Sequence, residues 1–180
     1  MIKKFYLLVT LGLALSSTKA FAQEAEGRIQ KPYFIDYVMG PYLLIDNLQY
    51  DAFMMNGARL GFNFGNMNRF NFTIEYLAGH NSDVFGNHGM THNANLGLSM
   101  YFKEISNHFD PYFTLGGGFL EFKEFTNDEY GIELHAGFGS SLQITKRVSG
   151  LLEARYSNTS LINVNGQNQL VVLWGARLGF

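Results

Sequence analysis

Apolar and polar residues alternate one by one through residues 69–76 of the chain, which read RFNFTIEY. In an extended chain one face would carry only polar residues, and the other face would carry Phe70, Phe72, Ile74 and Tyr76. A helix turns every 3.6 residues and would mix the two sets. The pattern therefore predicts a β-strand with one apolar and one polar face.

The same alternation recurs along the chain and predicts eight strands. They lie near residues 32–45, 52–64, 69–79, 91–103, 110–122, 130–143, 148–158 and 168–180. A tilted strand needs about 9–11 residues to cross the hydrocarbon layer of a membrane, and all eight segments reach that length. The segments at 65–68 and 145–147 predict tight turns, whereas 80–90 and 159–167 predict longer polar loops on the outer side.

Eight membrane-crossing strands must close on themselves, because a bilayer accepts only structures whose backbone polar groups are all paired. An even number of strands also returns both ends of the chain to the periplasmic side. We therefore predict an all-β fold, an eight-stranded antiparallel up-and-down transmembrane β-barrel that spans residues 32–180 as one domain.

The apolar face of each strand is predicted to contact lipid. Its members are Ala58, Leu60, Phe62, Phe64, Ala94, Leu96, Leu98, Met100, Ile132, Leu134, Ala136, Phe138, Leu152, Ala154, Tyr156, Leu170, Val172, Trp174, Ala176 and Leu178. Aromatic residues near strand ends are expected to form girdles at the two interfaces: Tyr42, Tyr76, Tyr101, Tyr112, Tyr130 and Tyr156. A soluble lipocalin-like barrel, with these residues inside, is the alternative.

The opposite face carries the charged residues that we call the lumen charge set: Arg59, Glu75, Glu133, His135, Glu153, Arg155 and Arg177. An eight-stranded barrel is only wide enough to be filled by side chains, so we expect these residues to form a packed polar core. A small-solute or ion channel would need that core to rearrange.

The amino terminus has the three parts of a secretory signal peptide. Lys3 and Lys4 precede an apolar run of about a dozen residues, too short for the roughly 20 that a membrane-spanning helix needs, and small residues follow up to Ala22. We predict a signal peptide over residues 1–22, followed by a periplasmic segment over residues 23–31.

Composition removes several functional classes. The formal net charge of −2 shows no basic excess for nucleic acid, and the absence of Cys leaves no thiolate chemistry. His80, His88 and His92 lie near Asp83, but their spacing matches no defined metal site. We therefore expect neither a metal nor another cofactor.

Several short motifs resemble the OmpA-like, porin-family outer-membrane barrels of Gram-negative bacteria. They are PY at 32–33, GARLGF at 57–62, LLEARY at 151–156 and GARLGF at 175–180, where the last strand ends on Phe180. The resemblance implies an outer-membrane location, contact with lipid and lipopolysaccharide, and recognition of Phe180 by the barrel-assembly machinery. It also implies a structural or surface-recognition role, with an unknown ligand possible at loops 80–90 and 159–167, and no catalytic residues.

A second, local resemblance concerns residues 155–161, which read RYSNTSL and are followed by Asn165 and Gly166. This stretch resembles the His-Xaa-Ser-Asn motif of PagL-type lipid A deacylases, with Ser157 at the nucleophile position. Arg155 then occupies the position of the general base and Gln169 that of the acid. Arginine stays protonated and glutamine carries no charge, so neither supplies the chemistry that a serine nucleophile needs. A lipid A acyl hydrolase, or an inactive relative of one, is therefore the alternative function.

Overall fold

The structure is a computed structural model that describes residues 31–45, 52–64, 69–82, 88–102, 109–123, 128–161 and 167–180. The predicted signal peptide and residues 23–30 lie outside the described residues, as do the turn at 65–68 and the centres of the two predicted outer loops.

Eight strands make up the regular structure of the described residues. They are β1 (Tyr33–Leu44), β2 (Phe53–Phe64), β3 (Phe70–Ser82), β4 (His88–Tyr101), β5 (Phe109–Lys123), β6 (Asp128–Gln143), β7 (Val148–Leu161) and β8 (Gln167–Gly179). Within the described part of the chain, no helix has the length and apolar character needed to cross a membrane.

The strands close into a barrel in which each strand pairs with its sequence neighbours and β1 pairs with β8. The closing register runs from Phe34 opposite Gly179 to Leu44 opposite Gln169. Beyond the ladder, the amide of Phe180 donates to the carbonyl of Tyr33 at 3.0 Å, and the amide of Tyr33 donates back at 3.3 Å. The predicted eight-stranded barrel is confirmed, and closure leaves no exposed sheet edge.

Two hairpins extend further than the sequence predicts. Residues 80–82 and 88–90 pair as strand, with His80 opposite Met90, although they were expected to belong to a loop. Likewise β7 continues to Leu161 and β8 begins at Gln167, inside the predicted loop 159–167. Backbone pairing does not require apolar side chains, so the ladder continues past the point where alternating hydrophobicity ends.

Burial alternates along the strands as the sequence pattern predicts. On β6, Leu134 is 67% exposed and Phe138 is 65% exposed, whereas the intervening Glu133 and His135 are 1% and 5% exposed. All the residues predicted for the lipid face lie on the outer surface of the barrel. The alternative of a soluble barrel with these residues inside is therefore wrong, because they form a continuous apolar exterior.

Three of the six tyrosines predicted for the interfacial girdles lie inside the barrel instead. Tyr42, Tyr101 and Tyr112 are each at most 5% exposed, whereas Tyr76 and Tyr156 face outward as expected. Near a strand end, the position of a residue in the alternation decides which face it occupies, and its aromatic character does not. The phenol hydroxyl gives the physical reason for the inward position, since each of the three buried hydroxyls has a polar partner in the lumen.

The lumen is divided along its length. We call the end where β1 begins and β8 ends the terminal mouth, and the opposite end the distal mouth. Near the distal mouth an apolar cluster fills part of the interior: Tyr42 stacks on Phe53 with ring centroids 5.5 Å apart, and Phe53 meets Phe122 edge-on at 6.4 Å. This cluster continues inward through Val38, Met55, Leu77, Leu120, Val171 and Leu173. Charged side chains fill the middle and the terminal part of the lumen.

The lumen charge network

Arg59 and Glu75 form the first pair of the network and lie directly opposite each other on β2 and β3. The guanidinium of Arg59 donates to Glu75 Oε2 from Nη2 at 2.7 Å and from Nε at 3.0 Å. Both residues point inward because they occupy the polar positions of the alternation, and both are 3% exposed. The pair is therefore a buried, charge-assisted contact between neighbouring strands.

Arg155 reaches the same carboxylate from across the lumen. It donates from Nη1 to Glu75 Oε1 at 2.6 Å and from Nη2 to Oε2 at 2.8 Å, a bidentate contact. Its Nε also donates to Glu153 on the same strand. Because β7 and β3 are not neighbours in the sheet, this contact joins opposite walls of the barrel.

Glu153 completes a ring of two acids and two arginines. Its carboxylate lies 3.3 Å from Nη1 and from Nη2 of Arg59, and it accepts a 2.6 Å hydrogen bond from the hydroxyl of Tyr112. We call Arg59, Glu75, Glu153 and Arg155 the central ring. Two positive and two negative charges balance within it.

Arg177 lies nearer the terminal mouth and pairs with an acid that the sequence analysis missed. It donates from Nε and Nη2 to the two carboxylate oxygens of Asp36 at 2.8 and 2.9 Å, and from Nη1 to the hydroxyl of Tyr101 at 2.6 Å. Its guanidinium carbon lies 3.7 Å from the ring centroid of Phe34. Asp36 also lies 3.6 Å from Nη1 of Arg59, so it connects Arg177 to the central ring.

Glu133 and His135 form a separate pair toward the distal mouth. Glu133 accepts hydrogen bonds from the hydroxyl of Tyr42 at 2.7 Å and from the amide of Asn93, and its other oxygen lies 3.5 Å from Nδ1 of His135. The imidazole is turned toward β5, where a Cβ on Gly116 would lie 2.4 Å from Nε2. The seven predicted residues thus divide into the central ring, Arg177 beside it, and this pair.

Polar residues of the interior that were absent from the predicted charge set include Asp36, Asp110, Tyr101 and Tyr112. Asp36 is fully buried and Asp110 is 2% exposed, with the hydroxyl of Ser141 at 3.4 Å. The alternation contained a signal for Asp36. Phe34, Asp36 and Val38 are alternate residues of β1, so they lie on the same face of the strand, and all three point inward. That signal is weak in β1 because both of its faces carry apolar residues.

Ser157 lies in the lumen and its hydroxyl donates to Oε1 of Gln169 at 3.1 Å. Gln169 in turn donates from Nε2 to the hydroxyl of Thr159 at 3.0 Å. His135 is opposite Ser157 in the β6–β7 register, but its ring is turned away toward β5. The proton of Ser157 is thus directed at an amide oxygen, which cannot accept it as a general base would.

Metal-ligating side chains do not converge in the part of the chain that the structure describes. His92 faces outward and its Nδ1 lies 2.6 Å from the hydroxyl of Tyr76. His80 is exposed on β3. Asp83 and the side chain of His88 lie outside the described residues.

No family model matches the chain, and no curated protein matches its sequence. Solved structures do share its fold. The Neisserial surface protein A (NspA) aligns with a TM-score of 0.68 at 13% identity, over 84% of this chain and 99% of the other. The N-terminal β-barrel domain of Pseudomonas aeruginosa OprF aligns at 0.52, with 12% identity and coverage of 82% and 99%. Outer membrane protein OprG of the same organism aligns at 0.51, with 14% identity and coverage of 87% and 99%.

These similarities identify the fold as that of small Gram-negative outer-membrane barrels. The outer surface agrees with that fold, since its large exposed side chains are apolar along every strand. Fold and surface together support the predicted location in a Gram-negative outer membrane.

Proposed function

We propose that the chain is a small integral outer-membrane protein with a structural or surface-recognition role, and that its lumen is a packed polar core. The observation that carries this proposal is the central ring, in which Arg155 on β7 binds Glu75 on β3 across the barrel. These ion pairs occupy the interior where a pore would have to pass.

The network favours rigidity over transport. Each arginine of the ring donates to both acids, Glu75 and Glu153, so moving either arginine would break buried ion pairs with both. Breaking a buried ion pair costs about 3–5 kcal/mol in soluble proteins. The apolar cluster of Phe53 and Phe122 adds a second barrier near the distal mouth.

The surfaces suggest the partners. The apolar exterior would contact membrane lipid and lipopolysaccharide, and the barrel-assembly machinery would recognise the last strand through Phe180, which is 54% exposed. Any recognition of an outside ligand would fall to the segments around 80–90 and 159–167, where the strands extend beyond the apolar belt.

A lipid A acyl hydrolase is the second candidate, and it depends on Ser157. An acyl ester in the outer leaflet would have to reach a hydroxyl that is fully buried inside the barrel. The residues at the general-base and acid positions cannot take those roles. Arg155 is bound to two carboxylates, and Gln169 is neutral. We therefore expect no hydrolysis.

One pair of measurements separates the two functions. A strain lacking the protein is complemented with the wild type or with Ser157→Ala, and survival in bile salts reports envelope integrity. We expect equal complementation, because Ser157→Ala removes one hydrogen bond of about 1 kcal/mol and leaves the network intact. The purified wild type should release no fatty acid from lipopolysaccharide. Fatty-acid release that Ser157→Ala abolishes, together with failed complementation, would contradict a structural role and support the hydrolase.

A further inference from the structure

A cavity opens into the terminal mouth, and among the residues that the structure describes no acidic side chain lines it. It measures about 40 Å³. Its charged lining residues are all basic: Lys31, Lys146, Arg147 and Arg177. Neutral polar side chains complete the wall, among them Asn63 and Ser149.

Lys31 is held at the rim by the start of β1 and the end of β2. The side-chain amide of Asn63 donates to the carbonyl of Lys31 at 2.6 Å, and the backbone amide of Asn63 donates to that of Pro32 at 2.8 Å. The aliphatic stem of Lys31 lies over Gly179, where a Cβ would come within 3.0 Å of two of its carbons. The ammonium group is thus carried on a fixed segment.

Arg147 is fixed from the other side of the cavity by the β6–β7 turn. The hydroxyl of Thr145 accepts hydrogen bonds from the amides of Arg147 at 3.3 Å and Val148 at 3.0 Å. The carbonyl of Arg147 accepts from the amide of Gly179 at 2.8 Å, which ties the turn to β8. Two separate elements therefore present basic side chains to one cavity.

The positive charges that line the cavity reinforce one another's electrostatic potential, because they lie at the same mouth of the barrel. Arg177 at the base is matched by Asp36, and Lys31 and Arg147 lie above it at a rim where the described lining residues include no carboxylate. Clefts lined by charge of one sign concentrate counter-ions of the opposite sign. The distal mouth differs, because Lys123 there lies 3.4 Å from Glu121.

A further property of the cavity is the carboxamide oxygen of Asn63, which is buried and accepts no hydrogen bond from the described residues. It offers an acceptor for a ligand that carries a donor at or beside its phosphate, as hydrogen phosphate does at neutral pH and as phosphatidylglycerol does through its glycerol hydroxyls. The cavity has room for about three waters, which is close to the size of one tetrahedral oxyanion.

We propose that the terminal mouth is a binding site for a phosphate-type oxyanion, held by Lys31 and Arg147 at its rim, with Arg177 at its base. The phosphate group can come from free phosphate or from an anionic lipid headgroup. The site is independent of the proposed structural role, since the central ring takes no part in it.

The test is a titration of the isotope-labelled full barrel in neutral detergent, followed by NMR at constant ionic strength. Inorganic phosphate is added in one arm, and dihexanoyl-phosphatidylglycerol is compared with dihexanoyl-phosphatidylcholine in another. We expect saturable shifts of the amides of residues 145–148 and 179. Lys31→Gln and Arg147→Gln should each weaken binding about tenfold, the change expected on losing one charge-assisted hydrogen bond.

Lys123→Gln at the distal mouth is the matched control and should leave the affinity unchanged. Arg147→Lys keeps the charge and should retain most of the binding, which distinguishes lost charge from a disturbed turn. Tighter binding of phosphatidylglycerol than of phosphate would assign the site to lipid, and the reverse order would assign it to the free ion. The absence of saturable shifts in all arms, or equal affinities for Lys31→Gln, Arg147→Gln and the wild type, would overturn the proposal.

Discussion

Glu75 is the residue on which the interior depends most. It accepts hydrogen bonds from Arg59 on the neighbouring strand and from Arg155 across the lumen, and Asn95 lies 3.3 Å from the same carboxylate. Removing its charge leaves two buried guanidinium groups facing a single remaining acid of the ring, Glu153.

We therefore expect Glu75→Gln to lower the free energy of unfolding by about 3–5 kcal/mol, the cost of breaking a buried ion pair. Trp174 is the only tryptophan of the chain and faces outward, so its fluorescence reports transfer from lipid to water during urea unfolding from vesicles. Glu121→Gln is the matched control. The ion pair of Glu121 with Lys123 is partly exposed, so its loss should cost less than about 1 kcal/mol. Equal losses for the two variants would show that the central ring adds no more to stability than a partly exposed ion pair does.

The sequence predicts the inward position of a residue better than it predicts the partner of that residue. Alternation places Arg59, Glu75 and Arg155 inside, because parity is a local property of each strand. The partners depend on strand register and on which side chains cross the lumen, and one strand contains no information about either. Tyr112 shows the limit: its inward position makes sense only once Glu153 is known to lie beside it.

Among the strands, β5 and β6 pack closely at one point, where the side chain of His135 on β6 lies over Gly116 on β5. Gly116 lies opposite His135 in the β5–β6 register, and a Cβ there would lie 2.4 Å from Nε2 and 2.5 Å from the carbonyl oxygen of Leu96. The imidazole thus occupies the space that any side chain at position 116 would need.

Gly116→Ala should destabilise the barrel by about 1–3 kcal/mol, as overpacking does in well-packed interiors. Gly150→Ala on β7 is the control, since its Cβ would meet nothing closer than 3.9 Å and the change should lie within about 1 kcal/mol of neutral. Both are measured by the same urea unfolding from vesicles. If Gly116→Ala were as mild as Gly150→Ala, the ring of His135 would not be seated as described.

The bounds of the elements were less predictable than their number. The alternation correctly predicts eight strands, but it ends where the apolar belt ends, whereas the paired backbone of β3 continues to Ser82 and that of β7 to Leu161. Hydrogen bonding between neighbouring strands does not depend on side-chain polarity outside the hydrocarbon layer. A pattern of hydrophobicity therefore measures the membrane-crossing part of a strand and underestimates its full length.

The whole molecule combines three interior environments within one apolar exterior. An apolar cluster lies in the distal part of the lumen, the central ring fills the middle, and basic side chains line the terminal mouth. The distal apolar cluster was not predicted, although short runs without alternation, such as residues 170–173, contain its signal. The alternation of side chains and the need for a closed sheet predict the fold of the described chain. The layers inside the lumen could not be predicted in this way, because they depend on the register of all eight strands.

The central claim is that alternate residues of each strand face lipid and a filled lumen. It is tested most directly by spin labels at successive positions of β4, from residue 94 to residue 99, because the chain has no native Cys to interfere. In lipid vesicles the collision rate of the label with dissolved oxygen should oscillate with a period of two residues. Maxima are predicted at Ala94, Leu96 and Leu98, and minima at Asn95, Gly97 and Ser99. A flat profile, or maxima at residues 95, 97 and 99, would contradict the account.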